Sequence, residues 1–112
     1  MSVLAKPLFN AKFAKSSEKV EYTAPNETRT IVDKFTATNT DSGALTLTVH
    51  LVPSGGAVAT SNMILKAYSI AAGVTFDCTE LKNQILNGGD FISIFASSAD
   101  KVVIRASGRE IS

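Results

Sequence analysis

The sequence predicts an all-β fold: an antiparallel β-sandwich or jelly roll of about seven or eight short strands, with at most one short helical turn. Three observations carry this. Val, Ile and Thr supply 28 of the 112 residues, and β-branched side chains pack well on a pleated surface. Several runs alternate apolar and polar residues with period two. Clusters of Gly, Pro, Asn, Asp and Ser separate the runs at close spacing, which disfavours the long crossovers of βαβ units.

Residues 1–18 differ from the rest. With Lys19 they carry Lys6, Lys12 and Lys15 against Glu18 alone, a local charge of +3, whereas the remaining residues sum to −2. Val3, Leu4, Leu8, Phe9 and Phe13 lie among these lysines, and Pro7 argues against a helix through them. Two readings stay open: an extended arm that packs on a neighbouring subunit, or a first strand over Leu8 to Lys15. Residues 19–112 then form the sandwich.

Lys19 to Thr23 reads as a short strand ended by the turn Ala24-Pro25-Asn26-Glu27. Thr28 to Thr40 alternates, with Ile31, Phe35 and Ala37 on one face and Thr30, Val32, Lys34, Thr36 and Thr38 on the other. After Asp41-Ser42-Gly43, Leu45, Leu47, Val49 and Leu51 form the clearest apolar face, opposite Thr46, Thr48, His50 and Val52. Pro53-Ser54-Gly55-Gly56 ends that strand, and residues 57–62 are a polar loop. Met63 to Ile70 is a further strand and Val74 to Cys78 a short extended piece. Asp77-x-x-Glu80 fits a helix start before Leu81, Ile85 and Leu86, with an edge strand as the alternative. Phe91 to Ala96 is apolar at nearly every position, as in a strand covered on both faces. Lys101 to Ser107 alternates again, and Gly108 is expected to break it.

The composition excludes several functions. One Cys leaves no internal disulfide or multi-thiolate metal centre, and one His leaves no multi-histidine site within a chain. No apolar run approaches the ~20 residues of a membrane helix, and residues 1–9 lack the pattern of a signal peptide. The formal charge of +1 is not that of a general nucleic-acid binder. His50 has no acid or nucleophile tied to it, Cys78 sits among apolar residues, and Gly55-Gly56 and Gly88-Gly89 have the spacing of turns rather than of phosphate-binding loops. No catalytic residue, cofactor or metal is expected. Tyr22 and Tyr68 are the only amphipathic aromatics for a glycan platform.

Tyr22-Thr23-Ala24-Pro25, Thr38-Asn39-Thr40, Val49 to Gly56, Ile70 to Gly73, Leu86 to Ile92 and Ala96 to Asp100 together resemble small all-β virion proteins of tailed bacteriophages. The resemblance spans about residues 19–111. Within that group the chain is similar to the capsid decoration, cement or staple, proteins, including those of epsilon15-type phages. The resemblance implies a structural protein made in the bacterial cytoplasm and carried on the outer capsid surface, where it bridges major capsid subunits. Its expected partners are the major capsid protein and a second copy of itself, without nucleic acid or membrane. Tail, adaptor or baseplate parts and a glycan-binding attachment module are the alternatives. Under the arm reading, the partner-binding residues are Val3, Leu4, Lys6, Leu8, Phe9, Lys12, Phe13 and Lys15.

Overall fold

A computed structural model describes residues 2–112. Its strands, in chain order, are β1 (Val3–Phe13), β2 (Lys19–Thr23), β3 (Arg29–Asn39), β4 (Leu45–Val52), β5 (Met63–Ile70), β6 (Thr75–Asp77), β7 (Ile85–Leu86), β8 (Phe91–Ala96) and β9 (Val102–Ile111). One sheet has the order β1-β9-β3-β6, with β7 also paired to β3; the other has the order β2-β8-β4-β5. Every pairing is antiparallel. Consecutive strands largely alternate between the sheets, which is the winding of a jelly roll.

The core forms where the inward faces meet. Leu47, Val49, Ile92 and Ile94 from one sheet pack against Val32, Phe35, Ala37 and Ile104 from the other, all fully enclosed. Phe9 meets Phe35 edge to face at 6.0 Å. Asn39 is buried with its polar atoms satisfied: Nδ2 donates to the carbonyls of Gly43 and Ile70, and Oδ1 accepts from the Asp41 N–H. It thereby pins the β3–β4 turn to the end of β5.

Residues 3–13 are an edge strand of the first sheet. Leu8 and Phe9 belong to the chain's own core, which corrects their reading as anchors for a neighbour. Pro7 fits the strand because of its phase. Ser2 and Ser112 exchange both backbone hydrogen bonds, so even-numbered residues through Lys6 turn their N–H toward β9. Pro7 falls where the missing N–H would face the free edge.

The alternation expected in β3 holds in each half and changes phase between them. Val32 pairs with Gly108 and Lys34 with Ser107, so Asp33 is an extra residue in a bulge. Val32 therefore joins Phe35 and Ala37 on the core side, and Ile31 turns outward. Nor does Gly108 end β9. The strand runs through it to Ile111, because a residue without Cβ is what fits beside the Ile31 carbonyl.

No helix starts after Asp77. Cys78 N–H donates to the Phe35 carbonyl, Asn83 N–H to Val32 and Val32 N–H to Gln84, so the segment follows β3 as turns while Leu81 and Leu86 fill the core. The short helical turn lies instead at Thr60–Asn62, where Asn62 Oδ1 accepts from the Ala59 N–H.

Candidate functional site

The three lysines of residues 1–18 are held by the chain's own acids. Lys6 Nζ lies 3.5 Å from Glu110, Lys15 Nζ 3.2 Å from Asp100 and Lys12 Nζ 2.6 Å from Glu21. The Lys12 contact differs in kind. The Glu21 side chain is fully enclosed, and neither carboxylate oxygen has an aligned hydrogen-bond donor among the described residues. Lys12 is thus the charge that balances a buried carboxylate. Lys12→Ala is expected to cost about 3 kcal/mol, because removing one partner strands the other. Lys15→Ala, at an exposed pair, should cost less than about 0.5 kcal/mol. Equal urea midpoints for the two variants would contradict this.

Val3 and Phe13 are 57% and 44% exposed and project from the outward face of the first sheet. Leu4, 55% exposed, lies on the other side of the strand opposite Glu110.

His50 is buried on the outward face of the second sheet. Its Nδ1 is 3.1 Å from Glu18 Oε1 but out of line for a hydrogen bond, and Ser93 Oγ donates to Glu18 Oε2. Glu18 therefore stands between the hydroxyl and the imidazole. A nucleophilic serine needs the base on its own Oγ, so this cluster lacks that relation. Burial pushes the Cys78 thiol up to about 11, which keeps it protonated at neutral pH. Tyr22 is buried with its hydroxyl between Thr30 Oγ1 at 2.7 Å and Glu110 Oε2 at 2.6 Å. Its pKa is raised, first by burial and then by its hydrogen bond to Glu110. Tyr68 stacks on Phe76 at 4.1 Å, joining β5 of one sheet to β6 of the other. Among the described residues no cluster of His, Cys, Asp and Glu has the makings of a metal site, and no helix is long and apolar enough to cross a membrane.

The residues that the strand pattern brings together lie elsewhere. On β9, residues 103, 105, 107, 109 and 111 face outward, opposite 38, 36, 34, 31 and 29 of β3. This aligns Arg105, Arg109, Arg29 and Lys34 with Val103, Ile31 and Ile111 on one surface. Ile85, paired with Ile31 and 55% exposed, extends it at one edge, and Val3 at the other. Asp33, in the bulge, takes Arg109 with both carboxylate oxygens at 2.9–3.2 Å. That ion pair raises the Arg109 pKa and fixes the guanidinium in the middle of the face. A cavity of about 380 Å³ opens at the end of the same sheet, between Glu27, Arg29, Asn87 and Ile111. Arg105 and Arg109 share a parity in the sequence, a signal that the pairing with β3 makes spatial.

The geometry defines a jelly-roll sandwich with one outward sheet face that mixes arginine and aliphatic side chains. No family model matches the chain, and no curated protein matches it. It is similar to a chain in the structure of infectious bursal disease virus, Gx strain, with a TM-score of 0.48 and 13% identity over 97% of its own length. It spans about a third of that chain, 32%.

Proposed function

We propose that the chain is a structural virion protein, a decoration or cement protein that binds the outer surface of a phage head and bridges major capsid subunits. The observation that carries this reading is the outward face of the first sheet, where arginine and exposed aliphatic side chains sit on a rigid two-sheet body. The resemblance of residues 19–111 to small virion proteins supports it. Work by such a protein is done through contact. Apolar burial contributes ~25 cal/mol per Å², and many copies on a repeating shell make modest contacts collective.

The test is co-sedimentation of the purified chain with heads of the encoding phage from which it has been stripped. Saturable binding to heads, with a rise in their disruption temperature, is expected. Binding to isolated tails and none to heads would replace this reading with that of a tail, adaptor or baseplate component.

A further inference from the structure

We propose that the outward face of the sheet β1-β9-β3-β6 is the docking surface, and that its occupant is an acidic protein surface; the identity of that partner as a capsid subunit rests on the reading above. The first support is where the cations are. All three arginines of the chain, Arg29, Arg105 and Arg109, project from this face, against one of its eight lysines, Lys34. Protein interfaces are enriched in arginine and depleted in lysine, because a planar, weakly hydrated guanidinium binds carboxylates in a fixed geometry and loses less on desolvation.

The second support is the net charge of the face. The lysines of residues 1–18 are each within reach of a carboxylate. Among the described residues, Arg109 is paired with Asp33, while Arg29, Lys34 and Arg105 form no ion pair; away from this face Lys19, Lys66 and Lys82 form none either, which makes two of them a fair control. Counting Asp33 and Asp77, the face carries +2 in a chain of formal charge +1, so the rest of the molecule is at −1. The charge asymmetry is thus a property of this sheet, with residues 1–18 contributing Val3 and Phe13 to its border.

The third support separates a protein from a nucleic acid. Ile31, Ile85, Ile111 and Val3 are interleaved with the charges, and Ile85 and Val3 are more than half exposed. Aliphatic side chains gain from a dry protein contact and nothing from a phosphate backbone. Asp33 and Asp77 on the same face oppose a polyanion but accommodate an acidic surface that carries its own cations.

The experiment compares R29E/R105E with K19E/K66E, a control of equal charge change on the opposite sheet. Thermal melts first establish that both variants fold as the parent does. Head binding is expected to fall about tenfold or more in R29E/R105E and less than about twofold in the control. Equal losses, or none, in a parent that binds heads overturn the docking face and leave the virion reading intact. A parent that fails to bind heads overturns the virion reading, and a second measurement then decides the face. The isotope-labelled chain is titrated with a random copolymer of Glu and Tyr, followed by backbone NMR. Shifts confined to the amides around Arg29, Ile31, Arg105 and Arg109, and lost in R29E/R105E, are expected. Shifts centred elsewhere, or binding of a short DNA duplex as tight as that of the copolymer, overturn it.

Discussion

A chain lacking residues 1–13 is expected not to fold. The deletion removes β1, and with it the partner of β9 from Val103 to Ile111. It takes Leu8 and Phe9 out of the core, where burial of each contributes about 1.5–3 kcal/mol before any cavity cost. It also removes Lys12 and leaves the enclosed Glu21 carboxylate without its counter-charge. These losses together approach the whole stability of a domain this size, which is about 5–15 kcal/mol. The expected result is a chain without a cooperative melt, with its near-ultraviolet circular dichroism lost. A truncated chain melting within about 2 °C of the parent would show residues 1–13 to be a free arm, since even one lost core side chain shifts a melt of this size by more.

Gly108→Ala is expected to be the most damaging single substitution among the glycines. A Cβ at position 108 would collide with the Ile31 carbonyl oxygen, and it would stand 3.2 Å from that carbonyl's carbon and 3.3 Å from Leu8 Cδ1. The first two are backbone atoms of the adjacent strand, which no rotamer change relieves. Relief requires moving β3 beside its bulge, and Asp33 in that bulge holds Arg109, the next residue of β9. We expect a loss of about 3 kcal/mol or more, and a fall in Tm of about 12 °C. Gly43→Ala is the control, because a Cβ there has nothing within 4 Å. Equal melting temperatures for the two variants would mean that β3 and β9 are not as close as described.

These two expectations also mark where the sequence was readable. The bounds of β4 and β8 were legible, because the strict alternation of β4, the apolar run of β8 and the turns that bound them are all local. The phase of β3 was not, since one extra residue at Asp33 reverses every side chain beyond it and leaves no local mark. Gly108 reads as a breaker in one dimension and as a close approach in three. The charge of residues 1–18 pointed outward for the same reason. The acids that hold Lys6 and Lys15 are Glu110 and Asp100, at the far end of the chain, and the pairing of β1 with β9 brings them near. The arginine face was hidden likewise: Arg29 and Arg105 meet on one surface only because β9 lies between β1 and β3.

The central claim, a building block on a virus head, is tested most directly by counting. Under the proposed role, purified particles of the virus that encodes the chain, analysed by quantitative mass spectrometry against the major capsid protein, should hold copies in a fixed ratio to the capsid subunits, on the order of dozens to hundreds, as a decoration protein following shell symmetry requires. A count of about a dozen or fewer, or none in particles that carry their full set of capsid subunits, would contradict it.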